Sequence, residues 1–257
     1  MRMERRYVEK PWGRTELPPI FDAPEGTRIG EVWFEGDPAL PLLAKYIFTS
    51  ERLSIQVHPS DEQARARGLP QGKTECWVIL EAEQGATIAL GTRHPLSPGE
   101  LRAAALDGSI EQLMDWRPVS AGDFYFVPSR TIHAIGGGIS LLEFQQNADV
   151  TFRLYDYGRP RELHLDDGVA VANAQPYPDS LAQHLVGADQ RTLVDGPHFT
   201  LVETDRDALP GRQRWILPLS GKVQSNGDIA GPGECLLLGP QDELACEDSR
   251  LLIGAKA

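Results

Sequence analysis

In Leu53-Ser54-Ile55-Gln56-Val57-His58 apolar and polar positions alternate without a break. A period of two marks a half-buried strand, and it sends Leu53, Ile55 and Val57 to one face and Ser54, Gln56 and His58 to the other. Elsewhere the apolar runs are short and turn signals recur about every ten residues, the texture of an all-β sandwich or barrel. The pattern predicts strands over Ile29–Glu35, Leu42–Ser50, Leu53–Val57, Glu75–Leu80, Thr87–Leu90, Asp123–Val127, Ile139–Gln146 and Val150–Tyr157. Helices are few. Ser60-Asp61-Glu62 opens a short one through Ala64–Arg67. Ser97-Pro98-Gly99-Glu100, with a Ser cap, an early Pro and a Glu three residues after the cap, starts another that runs to about Leu106. A third sits around Ile110–Asp115. Gln175-Pro176-Tyr177-Pro178-Asp179 reads as a linker, and Arg191–Ala257 as a further set of short strands. The expected division is a first domain over residues 1–165, then a linker and a C-terminal β domain over 166–257.

Composition narrows the class. With 257 residues, 41% hydrophobic and 24% charged, the chain has material for a large core and the balance of a soluble globular protein. No apolar run approaches the roughly 18 residues needed to cross a bilayer. No apolar h-region follows the basic start Met1-Arg2-Met3-Glu4-Arg5-Arg6, so no secretory signal is expected. Cys76, Cys235 and Cys246 are odd in number and lack CxxC spacing, which points to reduced thiols and a cytoplasmic protein. The net charge of −12 argues against nucleic acid and against an anionic membrane as partner. It leaves room for a small anionic substrate held by a few local Lys or Arg. A monomer or weak dimer is expected.

Gln56 and His58 place two ligand-type side chains at i and i+2 on one strand face, able to converge on one ion. Glu75 opens the next strand, with Cys76 turned the other way. His133 follows Gly122-Asp123-Phe124-Tyr125-Phe126-Val127-Pro128, a strand that ends at proline and turns back. Together Gln56, His58, Glu75 and His133 make an N/O donor set for one divalent ion. An amide oxygen, two neutral imidazoles and one carboxylate leave that ion a residual charge of about +1, available at an open position for polarising a carbonyl. A single Gln or His on a strand is ordinarily a hydrogen-bonded core group; the joint pattern is what points to a metal. If the segment after Asn147 is extended, Asp149, Thr151 and Arg153 share one face, and the Arg153 cation keeps Asp149 ionised. The bland alternative is a structural ion pair. Glu143, on a strand rich in Leu and Phe, is a rival base with a raised pKa, or else a hydrogen-bonded support for the ligands. His94, His164, His184 and His198 lack ligand spacing and read as surface or capping residues. Gly136-Gly137-Gly138 reads as a tight turn, and Trp12, Trp33 and Trp77 as core or pocket wall.

Gly122-x5-Pro128-x4-His133 resembles the second cupin motif, with Arg130 where that motif commonly has Gly. Gln56-x-His58…Glu75 resembles the first, with Gln in place of one His and a longer spacing to Glu. More specifically, the chain resembles the type I phosphomannose isomerases, zinc enzymes that interconvert mannose 6-phosphate and fructose 6-phosphate. The matching stretches are Lys10-Pro11-Trp12-Gly13, Ile29-Gly30-Glu31-Val32-Trp33, Leu53 to Pro59, Gly72-Lys73-Thr74-Glu75, Thr131-Ile132-His133-Ala134 and Asn147 to Arg159. They run in order through residues 7–160 and are most like the short bacterial branch.

The resemblance implies a cupin, or jelly-roll, catalytic domain with a small helical excursion and a second, degenerate cupin-like half. It implies one Zn2+ per chain on Gln56, His58, Glu75 and His133, although an N/O set also accepts cobalt, manganese or iron. It makes Lys73 and Arg153 basic active-site residues and Asp149 a carboxylate taking part in proton transfer. The implied substrate is a sugar phosphate, and Lys73, Arg130, Arg153 and Arg159 are the cations near the motifs, Arg159 the weakest of them. Aldose–ketose isomerisation needs a polarised carbonyl, a stabilised oxyanion and a base over two carbons, which this set supplies. An iron cupin oxygenase is the alternative enzyme class, and Gln56 in place of a His argues against it. A non-catalytic sugar-phosphate-binding cupin is the non-enzyme alternative; intact Lys73, Asp149 and Arg153 argue against that.

Overall fold

The structure, a computed structural model, describes residues 1–36, 40–185, 187 and 190–257. Its strands form three antiparallel sheets. The first runs in the order Glu4–Arg14, Ile29–Glu35, Leu42–Thr49, Ile139–Gln146, Glu75–Ala82, Asp123–Val127 and Ala182–His184. The second is ordered Phe152–Tyr155, Ile55–Val57, His133–Ile135, Thr87–Thr92 and Met114–Pro118. These two stack as the jelly-roll sandwich of a cupin. Trp77, Ile79 and Leu141 of the first sheet meet Ile88, Leu90 and Ile135 of the second in the core between them.

Both outer faces of the sandwich are covered as well. A third sheet, Arg191–Asp195, Phe199–Thr204, Ala245–Lys256, Arg214–Ser225 and Asp228–Ala230, packs Phe199, Trp215 and Leu252 onto Tyr46, Val78 and Phe144 of the first. Contact there is close enough to require glycine at 254, where a Cβ would come within 2.3 Å of the Phe144 ring. On the other side, helices Pro98–Asp107 and Leu165–Val171 lay Leu101, Ala104 and Val171 over Ile55, Val57 and Leu154. Strands Leu42–Thr49 and Ile139–Gln146 are consequently buried at every residue. Leu42–Thr49 reads as an almost unbroken apolar run, while Ile139–Gln146 carries Ser140, Glu143, Gln145 and Gln146; the two charges inside these strands, Lys45 and Glu143, are buried.

Strands Ile29–Glu35, Asp123–Val127 and Ile139–Gln146 match their predicted spans. The helix after Ser97 carries its capping box: Ser97 Oγ accepts from the Glu100 amide while the Glu100 carboxylate accepts from the Ser97 amide at 2.8 Å. Predicted strand Val150–Tyr157 shortens to Phe152–Tyr155, because Asn147–Thr151 loops and Tyr157 sits at φ 53°. Glu4–Arg14 and Leu165–Val171 are elements the pattern did not predict. The proline-rich segment at 175–179 is anchored rather than loose: Tyr177 is buried and its hydroxyl lies 2.7 Å from the Phe126 carbonyl and 3.0 Å from that of Leu181. Just beyond it, Ala182–His184 pairs with Asp123–Val127. Among the described residues no helix is long and apolar enough to cross a membrane.

Candidate metal centre

On the inner face of the first sheet, side chains change from apolar to charged toward one end. The inward positions of Ile139–Gln146 are Ile139, Leu141, Glu143 and Gln145. Register sets Glu143 opposite Lys45 on one neighbour and Trp77 on the other, and Gln145 opposite Glu75. Across the sandwich, Gln56 pairs with His133 and with Arg153. The charged end opens as a cavity of about 410 Å³.

Glu75 lines this cavity, and His58 and His133 converge on Glu75, each of the three 1% exposed, with one donor atom apiece inside a 4.8 Å cluster. Glu75 Oε2 lies 3.4 Å from His58 Nε2, and Glu75 Oε1 lies 3.4 Å from His133 Nε2. Tetrahedral N/O ligation at about 2.0–2.2 Å places neighbouring donors roughly 3.3–3.6 Å apart, so these two carboxylate–imidazole spacings are of the size an ion needs. The tautomer fits too. His133 Nδ1 donates to the Thr131 carbonyl at 2.9 Å, which leaves the Nε2 lone pair aimed into the cluster. Glu75 Oε2 is buried with no hydrogen bond, although the Lys73 ammonium stands 2.8 Å away outside hydrogen-bonding geometry. Gln56 presents its Nε2 to His133 Nε2 at 3.2 Å, while its Oε1 accepts from Ser54 Oγ at 3.0 Å. Turning the amide over offers Oε1 to the cluster. Ser54 Oγ, which both donates and accepts, serves either orientation.

Protonation states favour ligation. Burial, reinforced by Lys73, pushes the His58 imidazole down to about 3. Burial also lowers His133. On its own burial would raise Glu75, but Lys73 and the imidazoles hold that carboxyl well below its usual range. The histidines have a consequence for stability. An unfolded imidazole titrates near 6.5 (about 6.5 in peptides), so at mildly acid pH the unfolded chain binds protons that the fold does not. Stability of the metal-free protein should fall by about 2 kcal/mol from His58 between pH 7 and about pH 5. His133 adds to this fall, and Glu143, raised by burial and by Glu75, opposes it. Urea unfolding of wild type and His58→Gln at the two pH values tests this: the variant should show the shallower dependence, and an unchanged slope refutes it.

Behind the ligands runs a chain of buried charges. Lys73 Nζ is 3.7 Å from Glu143 Oε1, Lys45 Nζ is 2.9 Å from the same oxygen, and Lys45 also lies 3.6 Å from Glu31. Glu31 in turn meets Lys10 at 3.4 Å. Indole N–H groups close two ends: Trp77 donates to Glu143 at 3.0 Å and Trp33 to Glu31 at 2.8 Å.

Asp149, Thr151 and Arg153 all line the cavity. The chain at Asp149 is a loop rather than extended, and no direct Asp149–Arg153 ion pair occurs among the described residues, although the Asp149 charge acts on the Arg153 cation through space. Instead Arg153 Nη1 donates to the Glu162 carbonyl at 3.1 Å. Arg130 does not stand beside His133 in the cavity; its Nε donates to the Val171 carbonyl and its backbone amide to the His58 carbonyl. Its φ of 74° is the left-handed region, the physical reason glycine is usual there. Arg159 is likewise turned away, onto Asp156 and the Arg52 carbonyl. His164, read as an ordinary surface or capping residue, lines the cavity and accepts the Arg153 amide on Nδ1 at 3.3 Å. The wall residues that pattern reading overlooked are Lys10, Glu31, Lys45 and Arg161. For Lys45 a signal existed, a lone charge at an inward position of an apolar run. For Arg161 there was none.

A scan against models of protein families finds no match. Among curated proteins, "Mannose-6-phosphate isomerase" of Streptococcus mutans serotype c is 41% identical over 173 residues, 63% of this chain and 53% of that protein. The chain thus spans about half the length of that relative. "Probable mannose-6-phosphate isomerase GmuF" of Bacillus subtilis is 31% identical over 228 residues, 79% of this chain and 72% of the relative. The crystal structure of the mannose 6-phosphate isomerase from Bacillus subtilis superposes with a TM-score of 0.82 at 26% identity, covering 98% of each chain.

Proposed function

From the premise that this chain belongs to the mannose-6-phosphate isomerase family, we propose that it interconverts mannose 6-phosphate and fructose 6-phosphate. Zinc as the ion and the cytoplasm as the compartment belong to the same reading; an N/O donor set supports the first and three free thiols the second. One observation carries the proposal: Glu75 of the buried His58–Glu75–His133 cluster lines the same cavity as Gln56, Lys73, Asp149 and Arg153.

Gln56, His58, Glu75 and His133 would hold the ion, which when bound supplies positive charge for polarising the substrate carbonyl. The reaction moves a proton between C2 and C1 of the sugar through an enediol. Lys73 brings an ammonium to the wall beside the ligands, where it stabilises the developing oxyanion. Asp149 faces the cavity with no ion-pair partner among the described residues, and is the base over the reacting carbons. Glu143 is engaged on one oxygen by Trp77 and on the other by Lys45, and so braces the wall from behind. Arg153, opposite Gln56 in register, orients the substrate.

A coupled assay of fructose 6-phosphate formation on zinc-loaded protein tests the reading, with Arg153→Ala as the inactive control. Asp149→Asn is expected to lower kcat by about 10²- to 10³-fold with KM little changed and metal content intact. A fully active Asp149→Asn beside a silent Glu143→Gln would move the base to Glu143. Mannose 6-phosphate bound by the wild type without turnover would make the protein a binding module and end the isomerase reading.

A further inference from the structure

We infer that Arg161, with Arg153 and His164, forms the seat for the phosphate of the substrate, a dianionic monoester. The inference rests on the sugar-phosphate reading above and assigns cavity-lining groups that the metal cluster and Lys73 do not account for.

All three side chains line the cavity, and each is anchored from behind. Arg161 lays Nε and Nη2 on the two oxygens of Asp156 at 2.6 and 2.7 Å, and Asp156 is itself 2% exposed. Arg153 rests Nη1 on the Glu162 carbonyl. The backbones of residues 153 and 164 are tied together: the His164 amide donates to the Arg153 carbonyl at 2.8 Å, and His164 Nδ1 accepts the Arg153 amide. With Nδ1 accepting, the proton of the neutral ring is on Nε2, which makes that atom a donor. Donors remain: Nη1 on Arg161, Nε and Nη2 on Arg153, and Nε2 on His164. Planar guanidinium forks of this kind match the oxygens of a phosphate.

Around Asp156 the guanidiniums outnumber the carboxylate, while Asp149 and Glu162 are the other carboxylates near Arg153. Asp156 is shared between Arg161 and Arg159, one carboxylate against two guanidiniums. The Glu162 side chain, 82% exposed, comes no nearer to His164 Nε2 than 4.0 Å, beyond hydrogen-bond distance. Burial and the like charge of Arg161 make the Arg153 cation harder to hold, against the opposing pull of Asp156, Glu162 and Asp149. Two guanidiniums kept near one another at a cavity wall are a standing cost that a dianion removes on binding. The rival cations are committed elsewhere: Lys45 and Lys73 to buried carboxylates, Arg130 and Arg159 to groups outside the cavity.

Isothermal titration of the zinc-loaded protein with mannose 6-phosphate, inorganic phosphate and mannose tests the seat. Arg161→Gln should weaken both phosphate probes by about 10- to 100-fold, leave mannose unchanged, and raise KM far more than it lowers kcat. Arg161→Lys, which keeps the charge without the fork, should recover part of the loss. His164→Ala should show a smaller loss of the same kind, and carries the comparison with Arg161→Lys if Arg161→Gln does not fold. Phosphate and sugar phosphate bound at wild-type strength by these variants, or not bound by the wild type at all, would overturn the seat. Binding that depends on Arg161 in a wild type that makes no fructose 6-phosphate would leave the seat standing and remove the isomerase reading. Turnover whose KM ignores Arg161 would do the reverse.

Discussion

Glu75→Gln should empty the metal centre and cost at least about 10³-fold in turnover. The substitution barely changes size, so the effect isolates charge. Glu75 is the single carboxylate of the donor set, placed 3.4 Å from each imidazole, and its ionised form is held by Lys73. An amide there offers the ion a weaker neutral oxygen and leaves Lys73 without the partner 2.8 Å away. Metal analysis by mass spectrometry should find far less than one equivalent of zinc in the variant and one in the wild type, with the coupled assay falling in parallel. A variant that keeps its full equivalent and its activity would show that the ion, if bound, is bound elsewhere.

The second large effect is on the fold. Lys45→Met should destabilise the protein by about 3–5 kcal/mol, because it removes one member of a buried charge chain and strands its neighbours. Lys45 is 5% exposed and lies between Glu143 and Glu31. Burial works against its ammonium, but Glu143 and Glu31 overcome that and raise the group well above its ordinary value. A raised lysine contributes its full stabilisation below the unfolded value, about 10.4, and loses it only as pH rises through the folded one. Glu31 is the mirror case: burial opposes its charge, Lys45 and Lys10 prevail, and its contribution is lost only as pH falls through the depressed carboxyl. Urea unfolding at pH 7 therefore reads both in full. A control separates charge stranding from simple loss of contact. Lys45→Met combined with Glu143→Leu replaces a pair by apolar groups and should recover much of the loss. A single variant within about 1 kcal/mol of wild type would mean the chain of charges is solvated.

How legible the molecule was depends on how local each feature is. Ser54, Gln56 and His58 share a face because a strand repeats every two residues, and no distant part of the chain can alter that. The Ser97–Glu100 capping box is equally local and is present as read. Where reading failed, a remote partner intervened. The chain at Asp149 loops instead of continuing the strand of Arg153, and His164 lines the cavity with its backbone and ring tied to Arg153. Leu42–Thr49 and Ile139–Gln146 hide their alternation because a third sheet, contributed by residues beyond 190, covers the outward face.

By itself the sequence determined a mainly β chain and the strand faces, and it offered a candidate donor set of one amide, one carboxylate and two imidazoles. Those follow from backbone periodicity and side-chain chemistry, which need only near neighbours. Tertiary structure alone decided that Gln56 pairs with His133 across 77 positions, that Lys45 and Glu143 meet as a buried pair, and that Arg161 joins Arg153 at the cavity wall. Register between strands and the burial of a charge are set by which faces pack together, and that is a property of the whole chain folding at once.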